Sequence, residues 1–191
     1  MLTNRAQVVK LYYRVFQKQQ GGSVMKHIIL RFGKWQGWSL EQMMFSTGGY
    51  NYIVNFILTI LAGDAKHEEL VERAKVLVNF GEADFQTVIK CSCGKSVEYY
   101  ERRQRVGSMN RWFNYNEGYC YNCVPADLRE GSVIIPVVFS YLQEAKRLEE
   151  QRQFRDILQW LCGTVNRPMI KCFTFFHDNE NHCRRMARQK K

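Results

Sequence analysis

Two close cysteine pairs constrain this chain more than any other feature. Cys91-Ser92-Cys93-Gly94 and Cys120-Tyr121-Asn122-Cys123 stand far apart in sequence, joined by a basic and aromatic insert. Four thiolates on two tight turns match the tetrahedral demand of zinc, about 2.3 Å from each sulfur. Gly94 suits such a turn, because glycine takes positive φ without strain and exposes backbone amides to the thiolates. The second pair has the common two-residue spacer, whereas one residue separates the first. A structural zinc on Cys91, Cys93, Cys120 and Cys123 is the leading reading. Four buried free thiols and disulfides are the alternatives.

The seven cysteines are an odd number, and Met1-Leu2-Thr3-Asn4-Arg5 runs straight into an amphipathic pattern without an apolar leader. An intracellular, reducing setting is expected, nuclear or cytoplasmic, where paired cysteines tend to be metal ligands. The longest apolar run, Tyr52 to Ala62, contains Asn55 and is too short to span a bilayer, so no membrane partner is expected. The net charge of +10 favours a polyanionic partner, with nucleic acid first among them.

Val8, Leu11, Tyr12, Val15 and Phe16 mark one face of an opening helix, with Arg5, Lys10, Arg14 and Lys18 opposite. His27 to Phe32 reads as a strand. Gly33 and Gly37 then bracket a tight turn, in which Lys34 and the flanking amides offer a cationic concavity for a phosphate. Trp35 and Trp38 either stack on bases or cover the core. Ser39 and Gln42 form a capping box ahead of a short helix to Phe45. Gly48-Gly49-Tyr50 is expected to break it, and a second helix to cover Tyr52 to Leu61.

Phe32-Gly33-Lys34, Trp35, Gly37, Ser39-Leu40 and Gly49-Tyr50 together resemble the C-terminal domain of exodeoxyribonuclease X-like proteins, over residues 28 to 61 only. Gly49 departs from the pattern, which often has Asp there. The resemblance implies a non-catalytic module that associates with nucleic acid. No exonuclease carboxylate set accompanies it.

A further helix is expected over His67 to Asn79, with Leu70, Val71, Ala74, Leu77 and Val78 inward and His67 exposed. Phe85 to Lys90 reads as a strand entering the first cysteine pair, and Ser96 to Tyr100 as its return. The insert carries Arg102, Arg103, Arg105 and Arg111 beside Trp112 and Tyr115, with no acid between Glu101 and Glu117. Arginines among aromatics suit backbone contact plus base stacking on a loop tethered by zinc. The alternative is aromatics packed beside the metal, with arginines in solvent. A connector at Val124 to Asp127 leads to a long helix from Phe139 to Leu161. Leu142, Leu148, Phe154, Leu158 and Leu161 face inward there, with Glu150 among the outward charges. Cys162, Cys172, His177, His182 and Cys183 admit a second metal site. Arg184 to Lys191 reads as a basic arm.

The expected class is α+β: a small helical module over 1–81, a zinc-ribbon-like β-hairpin unit over 82–125, and a C-terminal helix with basic tail over 126–191. The leading function is a non-enzymatic, nucleic-acid-binding zinc protein, an accessory in replication, repair or transcription in a phage, virus or cell. A protein partner in a nucleic-acid-processing complex fits the same reading. The rivals are a protein-interaction adaptor with a structural zinc and, last, a metal-dependent nuclease using Asp84, Asp127 or Asp178.

Overall fold

The computed structural model describes residues 27–82, 87–104, 111–129, 134–145, 147–166 and 168–189. Residues 103, 104, 111, 112, 114–117, 127, 129 and 183–189 are described by backbone alone. The opening helix, Asp84, Phe85 and Arg105 lie outside the described residues.

The fold is α+β, as expected. Residues 27–40 close a loop rather than a ladder. Leu30 N donates to Trp38 O (2.9 Å), Gly37 N to Leu30 O (2.9 Å) and Leu40 N to Ile28 O (3.3 Å). The expected strand is thus reduced to one bridge, Ile29 to Ser39. Its length is cut short by a 3₁₀ turn at Gly33–Trp35 on one side and helix α1, Leu40–Met44, on the other. Gly33 and Gly37 hold φ of 70° and 85°, the positive values the turn demands. The capping box forms: Gln42 N donates to Ser39 Oγ (3.2 Å) and Ser39 N to Gln42 Oε1 (3.1 Å).

Gly48-Gly49 does not break a helix. Ser46 caps helix α2, Thr47–Tyr52, and both glycines lie inside it. A Cβ at Gly49 would stand 2.6 Å from Met43 O, so the glycine serves close helix approach instead. The chain then widens into a π turn, Ile53–Ile57, where Leu58 N reaches back to Ile53 O (2.9 Å). Helix α3, Glu68–Gly81, buries Leu70, Val71, Ala74, Leu77 and Phe80, close to the expected pattern.

The insert between the cysteine pairs is an antiparallel hairpin, not a loop. Strand β1, Tyr99–Gln104, pairs with β2, Arg111–Tyr119, from Tyr99↔Tyr119 to Gln104↔Arg111, with an irregularity between Tyr100 and Arg102. Short helix α4, Ala126–Arg129, follows, and strand β3, Ile134–Pro136, then joins the free side of β1 through Tyr100↔Ile135. The expected strand over 85–90 is absent from its described part, 87–90, which makes one bridge, Lys90 to Ser96.

The expected long C-terminal helix is split into α5, Tyr141–Glu144, and α6, Leu148–Leu161. Ala145 leaves the helix with ψ 114°. Glu150, expected in solvent, is 2% exposed, while Leu148, expected inside, is 61% exposed. The reason is rotational. Glu150, Phe154, Ile157, Leu158 and Leu161 share one helical face, and Leu148 is about 200° away from Glu150. Helix α7, Met169–Gln189, continues through most of the expected basic arm.

One buried cluster runs from Leu30 to Phe176 and draws on all three sequence segments. Its centre is aromatic. Phe45 meets Phe139 at 5.1 Å and Phe80 meets Phe176 at 5.4 Å, edge to face, an arrangement that adds about 0.5–1.5 kcal/mol per pair. Phe113 of β2 packs on Phe154 of α6 at 5.6 Å and seats the sheet on the helices.

Candidate metal centre

The four cysteines expected to bind metal are brought together. Their sulfurs all lie within 4.8 Å of one another, with Cys93 Sγ 3.4 Å from Cys120 Sγ. Tetrahedral bonds of about 2.3 Å require sulfurs about 3.8 Å apart, so the set fits a zinc-sized ion. Cys91 and Cys120 are buried, Cys123 is half-buried and Cys93 is exposed.

Each pair sits on its own knuckle. At the first, Gly94 N donates to Cys91 O (2.8 Å) and Cys91 N to Lys95 O (2.9 Å). Gly94 has φ of 84°, the conformation for which its residue type argued. The second is a 3₁₀ turn, Tyr121–Cys123, in which Cys123 N donates to Cys120 O (3.0 Å).

Glu98, which sequence patterning did not single out, joins the knuckles to the sheet. Its carboxylate accepts from Tyr121 N (2.7 Å), its amide donates to Tyr119 O (2.8 Å) and its carbonyl accepts from Val137 N (2.8 Å). Thr87 carries no sequence signal either. Its hydroxyl donates to Ile89 O (2.6 Å) and accepts from Val97 N (3.1 Å), while Val88 N donates to Leu161 O (2.7 Å) and ties the knuckle to α6.

The thiols do not share charge equally. Burial opposes the Cys91 thiolate, but the Cys93 and Cys120 backbone and the Ser92 hydroxyl outweigh it and bring the thiol down to about 6. The Lys95 backbone lowers Cys93 as well. The thiols of Cys93, Cys120 and Cys91 push Cys123 up to about 12. Crowded sulfurs therefore resist carrying four charges together, and a bound dication removes that resistance by releasing protons. All four corners are filled by the chain, which suits a structural metal rather than a catalytic one with an open position.

The other expected site residues are placed differently. Lys34 is exposed on the glycine turn, its Nζ 5.8 Å from the Trp35 ring. Trp35 packs edge-on against Trp38 at 5.1 Å, and its Nε1 is buried without a hydrogen-bond partner, so its ring serves packing rather than display. Arg102 is not offered to a ligand. It donates to Tyr141 Oη (3.1 Å) and Glu150 Oε1 (3.3 Å), with its side chain 19% exposed. A buried carboxylate claims it, which sequence spacing does not reveal. Arg103, Arg111, Trp112 and Tyr115 are strand residues placed by backbone alone.

Among the described side chains, the second metal set does not assemble. Cys172 and His177, and His177 and His182, are five-residue steps along α7, each turning about 140° around the helix. Cys162 and Cys172 are buried, and burial, with Cys172 nearby, pushes the Cys162 thiol up. His177 is exposed and lies 3.4 Å from Asp178. Cys183 is placed by backbone alone. Among the described residues, no other group of His, Cys, Asp or Glu gathers as the four cysteines do, Asp178 included. Asp127 is placed by backbone alone.

Among the described residues, no helix is long and apolar enough to cross a membrane. No protein-family model, curated protein or solved structure matches the chain.

Proposed function

We propose that this protein is a zinc-stabilised nucleic-acid-binding factor without chemistry of its own, an accessory to replication, repair or transcription in the nucleus or cytoplasm. The observation that carries the reading is the closed four-cysteine centre in a chain of net charge +10. Metal there fixes two knuckles and a hairpin, and the excess of cations favours a polyanion through counterion release. The likeness of the Phe32-to-Tyr50 segment to the exodeoxyribonuclease X-like module supports the same partner, with Lys34 exposed on its turn. Elemental analysis should find one zinc per chain, and binding to DNA or RNA should weaken steeply with salt. Salt-independent or absent binding would end the reading.

A specific observation favours a second reading, a docking adaptor. Val88, Trp160 and Val165 are 59%, 41% and 50% exposed around the root of the first knuckle. Substituting Trp160 with Ser would then abolish partner capture while leaving salt-dependent nucleic-acid binding intact.

A further inference from the structure

We propose that the aromatic face around the Gly33–Trp35 turn is a binding surface for single-stranded nucleic acid, an inference that rests on the nucleic-acid reading above. Three stretches distant in sequence meet there. Tyr52 lies against the turn, because a Cβ on Gly33 would come 2.9 Å from its hydroxyl. Tyr52 stacks on Phe56 with centroids 4.7 Å apart and planes 27° from parallel. Phe32, preceding the turn, meets His67 edge-on at 5.4 Å, and His67 Nδ1 is 2.9 Å from Asp64 Oδ2.

These rings are half-exposed, so each keeps part of its surface in water. Exposed cations adjoin them in sequence: Arg31 next to Phe32, Lys34 in the turn and Lys66 next to His67. A surface that offers both rings and cations suits a strand that carries both bases and phosphates. Unpaired bases present a free π-face, whereas duplex bases are stacked on their neighbours. The stacked Tyr52–Phe56 pair is already ordered by the end of α2 and the π turn that follows it, so little side-chain freedom is lost on binding. Turns of this kind occur often at functional sites.

The test is fluorescence anisotropy with a labelled oligothymidylate, the matching oligouridylate and a labelled duplex, over a salt series. Wild-type protein should prefer the single strands. Phe56→Leu should weaken them roughly tenfold, the loss of about one base stack. Arg31→Gln with Lys34→Gln should reduce the salt slope by about 1.4, since each phosphate contact on a single strand contributes about 0.7. Both cations are exposed, so the double variant keeps the test decisive if Phe56→Leu fails to fold. Preference for duplex, or wild-type affinity and slope in the folded variants, overturns this surface and leaves the nucleic-acid reading standing. If wild-type protein binds none of the three probes, that reading falls and the surface with it.

Discussion

Replacing Arg73 with Met should cost as much stability as the largest single losses of an aliphatic core side chain. Arg73 of α3 joins three helices. Its Nη2 lies 2.8 Å and its Nε 3.1 Å from Glu41 Oε1 on α1, and its Nη1 lies 2.9 Å from Glu180 Oε1 on α7. The side chains are 6%, 0% and 3% exposed, so water cannot stand in for the cation. Burial opposes the guanidinium charge, but Glu180 and Glu41 outweigh it and keep Arg73 charged. Removing one partner of a buried pair costs about 3–5 kcal/mol. Two carboxylates lose this cation, and Glu41 Oε2, buried without a hydrogen bond, keeps only His27 Nδ1 at 3.5 Å. The upper end, about 5 kcal/mol, is therefore expected. At about 2–4 °C per kcal/mol for a chain of this size, the melting point should fall by about 10–20 °C. Urea denaturation followed by circular dichroism measures the loss. Replacing all three with Met or Leu should recover most of it, because an apolar set avoids the desolvation cost. A loss under about 1 kcal/mol in the single variant, or no recovery in the triple, would refute this account.

Cys120→Ser should abolish metal binding and lower the melting point, and elemental analysis showing unchanged metal would contradict the four-cysteine centre. Gly49→Ala should cost about 1–3 kcal/mol by urea denaturation, since its Cβ would meet Met43 O at 2.6 Å. Gly37→Val should cost about 1–2 kcal/mol through its φ of 85° alone, with Gly37→Asn milder; equal midpoints for Val and Gly would remove the strain. Burial first, then Glu82, raises the Tyr50 hydroxyl above its ordinary 10.0, and burial with Glu150 raises Tyr141. The folded state thus holds these protons more tightly. The stability they contribute is complete below pH 10.0 and is lost as pH rises beyond it. Tyr50→Phe should flatten that alkaline limb in pH-dependent denaturation, and an unchanged limb would reject the assignment.

What was legible in the sequence was local. The Ser39–Gln42 box, positive φ at Gly37 and Gly94, and the pairing of cysteines into knuckles each depend on a few neighbouring residues. What was not legible depended on partners far along the chain. Gly48-Gly49 has the composition of a helix break, yet Gly49 is needed inside α2 because Met43 O approaches it. Glu150 looks like one solvated charge among many until Arg102 and Tyr141 are placed against it. The insert reads as a loop because its arginines mask a hairpin whose register also depends on Ile134–Pro136. Gly118 helps that register, since any Cβ there would stand 2.7 Å from Val97 Cγ1.

These long-range contacts connect the metal centre to the helical core. Cys120 directly follows β2, and the first knuckle leads through Glu98 into β1, so a metal on both knuckles clamps the two strands at one end. That end is where Tyr99 faces Tyr119. Three residues into β1, Arg102 reaches Glu150 Oε1, and Tyr141 Oη donates to the same oxygen (2.6 Å). Glu150 is 2% exposed, so its charge is tolerable only while Arg102 is held there. A metal bound there would thus help secure the cation that lets α6 turn its buried face to the sheet. On this view the arginine insert is part of the scaffold, at least at Arg102, and the cations open to a polyanion include those around the glycine turn. Arg102→Gln should accordingly destabilise the fold far more than it weakens any nucleic-acid complex.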